Sequence, residues 1–198
     1  MRNGEIGATR AGARAQRALT INPFCRVRAL QSFFLRSTAA ELLQGGFDYV
    51  LDAIDSPSRK ALLIASCHER SIPVITVGAS GGRLDPTAIE VADLAQSSHD
   101  RLLQEVRRKL RQRHGFPRGD VPFGIECVLS RERVAPLTEP FPDDGAKASR
   151  LDCAGRFGTA AFVTGTFGFV AAWRIIRSLG AGGTASETSV ESSVLPGQ

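Results

Sequence analysis

The sequence predicts an α/β fold in which a mostly parallel sheet carries flanking helices. Three observations predict it. Short apolar runs alternate with amphipathic stretches from residue 45 onward, and a β-α-β unit is legible between Tyr49 and Val77. The chain of 198 residues is 42% hydrophobic and 23% charged, enough for one sizeable core and incompatible with a disordered or fibrous protein. The expected organisation is a disordered start at 1–10, a partial α/β domain at 11–180, and a disordered Ser/Thr/Gly-rich tail at 181–198 that lacks aromatics.

The elements follow in order. Ala11 to Leu19 reads as a short basic helix, Ile21-Asn22-Pro23 as its stop, and Cys25 to Leu30 as a strand. Gly45 and Gly46 punctuate the chain before Tyr49 to Ile54, a buried strand that ends at Asp55. Ser56 stands as a cap and Pro57 opens a helix from about Ser58 to Arg70, with Ala61, Leu62, Ala65 and His68/Glu69 at helical spacing. Ile72 to Val77 resumes as a strand. Gly78, Gly81-Gly82 and Asp85-Pro86-Thr87 then supply turns, and Ile89 and Val91 mark a short strand before Asp93-Leu94.

Between Asp100 and His114, Leu102, Leu103, Val106 and Leu110 share one helical face. Residues 115–122 form a Gly/Pro loop, Ile125 to Leu129 a strand, and 135–148 a Pro-rich excursion with Asp143 and Asp144 on a solvated turn. The uncharged run between Arg156 and Arg174 is seventeen residues long and diluted by three glycines and three threonines. That is short for a bilayer span, so it reads as a buried core helix capped by Gly180.

The net charge is +5, and 23 of the 25 cations lie in the first 156 residues, which leaves an anionic partner open without requiring one. Six cations against Glu105 on the helix 101–113 suit either nucleic-acid phosphates or plain solvation. The lack of an interleaved aromatic for base stacking favours solvation. Cys25, Cys67, Cys127 and Cys153 stand far apart with no CxxC pair, which argues for reduced thiols and a cytoplasmic setting. The Arg-rich, acid-poor start keeps a mitochondrial presequence as the alternative. Cys127 and Cys153 read as buried rather than reactive thiols, and His68, His99 and His114 lack metal-ligand spacing.

A sheet that binds nucleotide needs a Gly-rich turn between its first strand and helix, where backbone N–H groups meet phosphate. Residues 1–44 offer none, since Gly4, Gly7 and Gly12 follow no hydrophobic strand. The expectation is an N-terminally truncated sheet lacking its nucleotide-binding β-α-β unit, with apolar edge surface left to pair or to recruit another chain.

One set of residues carries a resemblance. Asp52-Ala53-Ile54-Asp55-Ser56 after a strand, then Lys60, Ile72-Pro73 and the glycine turn with Asp85-Pro86-Thr87, resembles the ThiF/MoeB class of ubiquitin-activating-enzyme-like adenylating proteins. Four further strings are similar to its tRNA threonylcarbamoyladenosine dehydratase branch: Glu126-Cys127-Val128-Leu129-Ser130, Arg150-Leu151-Asp152-Cys153-Ala154, Phe157-Gly158 and Thr166-Phe167-Gly168-Phe169-Val170-Ala171. The similarity runs from about Gly12 to about Leu179.

The resemblance implies a partial Rossmann-like adenylating domain. It implies ATP-dependent cyclisation of a modified adenosine beside the tRNA anticodon through an acyl adenylate, impaired here by the missing front. ATP and Mg2+ are the implied cofactors, tRNA the implied substrate, and a homodimer the implied assembly. Asp55 matches the family's carboxylate beside Mg2+ and the ATP phosphates, with a helix-entry acid as the alternative. Ser56 and Lys60 also match the cofactor-binding pattern, with a cap and a solvent-facing lysine as their alternatives. Two other functions are open: sulfur-carrier-protein adenylation of the ThiF/MoeB type, with a sulfur-transfer or carrier protein as partner, and a non-catalytic dimerisation or tRNA-docking remnant.

Overall fold

The structure, a computed structural model, describes residues 9–134 and 158–183. The excursion at 135–148, Cys153, the string Arg150–Ala154, and all but the end of the 1–10 stretch therefore lie outside the described residues, as does the tail from 184 onward. The chain divides into two compact units, Met1–Leu42 and Leu43–Gln198.

In the first unit, helix α1 spans Arg10–Ile21. The Thr9 hydroxyl accepts the Gly12 N–H at 3.2 Å and starts the helix one residue earlier than read, and the Asn22 N–H donates to Ala18 O at 2.9 Å, so the helix stops at Asn22 as expected. Cys25 to Leu30, expected as a strand, forms none: its backbone pairs with no neighbouring strand, and extended conformation without a ladder is not a strand. A short helix α2 follows at Ala39–Leu42.

The second unit is built on a four-stranded sheet of β1 (Val50–Asp52), β2 (Val74–Val77), β3 (Ile89–Asp93) and β4 (Glu126–Ser130), in the order β1-β2-β4-β3. β1–β2 and β2–β4 are parallel, with Val50 opposite Val74 and Ile75 opposite Glu126. β3 runs antiparallel to β4 over five residue pairs from Ile89↔Ser130 to Asp93↔Glu126. The expected mostly parallel sheet is present, and its one antiparallel strand is the one reached through turns rather than a helical crossover.

Helix α3 (Pro57–Glu69) crosses from β1 to β2, opened by Pro57 as read. Its buried side is broader than expected. Lys60, Ala61, Leu63, Ile64, Ala65, Ser66 and Cys67 are buried, Leu62 is half-buried, and His68 and Glu69 are exposed, because α3 is covered by the sheet and also by helix α4 (Arg101–Arg113). In α4 the expected face is the buried one: Leu102, Leu103, Val106 and Leu110. The Asp100 side chain caps it by accepting the Leu103 N–H at 2.9 Å.

Helix α5 (Ala161–Gly183) packs across β2 and β4, where Val163, Phe167 and Ala171 meet Ile75 and Val128. Side chains alternate across a strand, so Ile75 turns to α5 while its neighbour Thr76 bonds to Lys60 of α3 on the other face. The four larger of these buried side chains, Ile75, Val128, Val163 and Phe167, contribute about 1.5–3 kcal/mol each. Two expectations for α5 are corrected. Only one stripe of it, Val163, Phe167 and Ala171, is buried, and Gly180 sits inside a helix that continues to Gly183. Among the described residues no helix is long and apolar enough to cross a membrane.

Candidate functional site

The carboxyl ends of β1 and β2 carry the site, as open α/β sheets place it. β1 ends at Asp52, which is fully buried. Lys60 Nζ donates to Asp52 Oδ2 at 2.8 Å and to Thr76 Oγ1 at 2.9 Å, and Thr76 Oγ1 donates in turn to Asp52 Oδ2 at 2.7 Å. The Ile54 N–H donates to Asp52 Oδ1 at 3.0 Å, so both carboxylate oxygens are engaged. A buried ion pair survives desolvation only with such extra hydrogen bonds, and here they bind the end of β1, the first turn of α3 and the middle of β2 together.

That knot fixes the backbone just before Asp55. Asp55 is exposed beyond the strand end and its carboxylate meets no hydrogen-bond donor among the described residues, which does not support its reading as a helix-entry acid. Ser56 occupies the cap position, yet its hydroxyl makes no capping bond; its carbonyl accepts the Lys60 N–H at 2.9 Å. Lys60 does not face solvent: its ammonium is wholly buried. A lone exposed carboxylate suits Mg2+, which usually takes one or two carboxylates and completes its shell with waters and substrate phosphates.

Beside it, the turn after β2 is built on a second acid that sequence reasoning missed. Asp100 Oδ2 accepts the Ala79 N–H at 2.8 Å and lies 3.5 Å from Arg83 NH2, which also donates to His99 O at 3.0 Å. Arg83 is buried, and its Nε and NH1 have no hydrogen-bond partner among the described residues. Gly78 is obligatory here, because a Cβ at that position would stand 2.3 Å from Asp100 Oδ2. The only sequence signal for this pair was the cap position of Asp100.

The other candidates resolve plainly. Burial pushes the Cys67 thiol up to about 11 and the Cys127 thiol up to about 12, the latter helped by Asp100 and Asp93, so both are unreactive near neutral pH. Among the described residues no cluster of His, Cys, Asp and Glu could hold a metal by itself. The His68 ring lies tilted against Phe116, at 46° with ring centroids 5.0 Å apart.

On α4, Arg107 donates to Ala95 O and Arg108 forks onto Glu105. Lys109 pairs with Glu105, and Arg111 donates to Pro117 O and Gly119 O. Four of the six cations that could have met phosphate therefore brace their own chain.

Three comparisons bear on this geometry. The sequence pattern of the ThiF family matches residues 1–194. The chain is 39% identical to the tRNA threonylcarbamoyladenosine dehydratase of Haemophilus influenzae over 89% of its own length and 67% of that protein. It is 37% identical to the Escherichia coli protein of the same name, over 88% and 67%. The crystal structure of the E. coli dehydratase in complex with ATP superposes with a TM-score of 0.77 at 35% identity, covering 91% of this chain and 67% of that one. The complex with AMP gives 0.79 at 34%. The chain thus spans about two-thirds of the length of these relatives. With its strand-end Asp52-x-x-Asp55 string in the place the sheet reserves for ligands and a match that runs nearly end to end, this chain belongs to the ThiF family.

Proposed function

We propose that the chain serves as an ATP-dependent tRNA threonylcarbamoyladenosine dehydratase, working in the cytoplasm as a homodimer. The observation that carries this reading is Asp55, an exposed carboxylate held at the carboxyl end of β1 by the buried Asp52–Lys60–Thr76 knot. ATP, when bound, supplies a phosphoryl electrophile that makes a carboxylate oxygen of the substrate a good leaving group. Asp55 would hold Mg2+ against the phosphates, and the Ser56 hydroxyl, unused as a cap, stands next to it at the N-terminus of α3. Lys60 is a positioning residue in this scheme. Its three donors are directed to Asp52 and Thr76, so it acts on nucleotide only by fixing the backbone that presents Asp55. The free thiols Cys25, Cys67 and Cys127 fit a reducing compartment.

The test is calorimetric titration of the chain with MgATP, paired with nucleoside analysis of threonylcarbamoylated tRNA after incubation. Wild type, whose residues 1–44 supply no Gly-rich phosphate turn, is expected to bind MgATP weakly and to cyclise slowly. Asp55→Asn, an exposed and near-isosteric change, is expected to lose at least about tenfold in MgATP affinity while keeping its melting temperature. Equal affinity in the two proteins overturns the role of Asp55. Adenylation of a sulfur-carrier protein with no effect on tRNA would move the chain to the other branch of the family.

A further inference from the structure

One buried cation has donors that the fold leaves unused. Arg83, 2% exposed, ends the turn that follows β2, and its NH2 alone is engaged, by His99 O at 3.0 Å and by Asp100 Oδ2 at 3.5 Å. A guanidinium carries N–H donors on all three nitrogens, so those of Nε and NH1 have no hydrogen-bond partner among the described residues. Buried donors left unmade cost stability, and charged ones cost more than neutral ones. A second cost meets the first. His99, whose carbonyl takes Arg83 NH2, holds φ at 55°, a left-handed conformation that few side chains adopt, while its own side chain is exposed. Strain in contact with orphaned donors marks a place shaped for something besides stability.

The backbone on both sides of Arg83 is anchored. The Gly82 N–H donates to Gly158 O at 3.0 Å, and the Glu132 carboxylate accepts the Leu84 and Asp85 N–H groups at 2.9 Å each. Upstream, Asp100 holds the Ala79 N–H, which leaves Ser80-Gly81 as the light, small-residue part of the turn. This turn and Asp55 follow the neighbouring parallel strands β2 and β1 past their carboxyl ends, where α4 and α3 begin. The guanidinium and the Asp55 carboxylate therefore share one edge of the sheet. With Asp100 beside it, Arg83 belongs to a pair of no net charge, which ill suits a polyphosphate. Its unused donors suit a singly charged carboxylate, the acceptor that a guanidinium matches in shape, and inside a dry turn such a bond is stronger than in water.

We propose that Arg83 is a specificity-determining residue of the reaction above, its free N–H groups receiving the carboxylate of the threonylcarbamoyl group while Asp55 holds the phosphates. The acid is admitted by displacement of Ser80-Gly81. The proposal rests on the dehydratase reading and names the residue that recognises the acid to be activated.

The experiment is an NMR titration of the full chain with two probes, the free nucleoside threonylcarbamoyladenosine and its methyl ester, in which the carboxylate is blocked. Wild type is expected to bind the acid at least about tenfold more tightly than the ester. Arg83→Met should bind the two alike, and Arg83→Lys, which keeps the charge but not the fork, should retain part of the preference. A purely structural role changes both affinities together and leaves their ratio intact; that result overturns the proposal. A wild type that binds neither probe, or both equally, overturns it too. MgATP affinity and its dependence on Asp55 are read separately, so failure of this subsite and failure of the dehydratase reading are told apart. Should Arg83→Met melt well below wild type, Arg83→Lys and Arg83→Gln carry the same comparison of acid with ester.

Discussion

Two buried ion pairs sit at the carboxyl edge of the same sheet and are built to opposite standards. Around Asp52 and Lys60 every carboxylate oxygen has a donor and the ammonium is directed at Asp52 and Thr76. Around Asp100 and Arg83 the contact is long, at 3.5 Å, and two buried guanidinium nitrogens have no hydrogen-bond partner among the described residues. The carboxylates are alike in being saturated, since Asp100 also receives the Ala79 and Leu103 N–H groups. The cations are not. The difference teaches that the first pair is a mutual dependence, whereas in the second the acid stands without its base.

The largest expected effect breaks the first pair. Lys60→Met leaves Asp52 charged and buried with a hydroxyl and an amide as its remaining donors, and should cost about 3–5 kcal/mol in urea denaturation, as for other broken buried pairs. A loss below about 1 kcal/mol would mean that Asp52 finds a proton or water instead.

The next effect reads the two centres separately, through the thiol beside each. Cys67 is raised by burial first and then by the Asp52 charge; Cys127 by burial first and then by Asp100. Both thiols are neutral in folded and unfolded chains below about pH 8.5, where they contribute no pH dependence. Above it the unfolded thiols ionise and the folded ones do not, so stability should fall as pH rises from about 9 towards 11, by up to about 1.4 kcal/mol per pH unit for each thiol. Denaturation midpoints measured across that range, with Cys67→Ala and Cys127→Ala, check it: each substitution should remove its share of the slope, and an unchanged slope would contradict the burial argument.

The smallest expected effect sharpens the second pair. Arg83→Met removes a half-satisfied guanidinium and leaves Asp100 its two amide donors, so stability should shift by no more than about 1 kcal/mol in either direction. A loss as large as that of Lys60→Met would show the two pairs to be equivalent after all.

Much of this architecture was legible in the residues. The apolar runs at Val50 and Val74, Pro57 between them, and the spacing of Leu102, Leu103, Val106 and Leu110 name β1, α3, β2 and α4 because local pattern and tertiary burial agree there. Cys25 to Leu30 has the composition of a strand but no neighbour to complete the ladder, which composition cannot supply. For α5, hydrophobicity gave the helix but not how much of it is covered. At the candidate site, the family string pointed to Asp55, which is exposed just beyond β1. The burial of Lys60 was not, since a lysine in a helix defaults to solvent; the one hint was a threonine, Thr76, in the middle of an apolar strand. Arg83 and Asp100 lie seventeen residues apart with no motif between them, and only the fold makes them neighbours.

Because one ammonium joins the last residue of β1, the first turn of α3 and the centre of β2, these three elements cannot open separately without stranding a charge in oil. Amide protons along Leu51–Asp52 and Ile75–Thr76 should therefore exchange with solvent in a single shared event, making this corner of the molecule one cooperative unit of local unfolding.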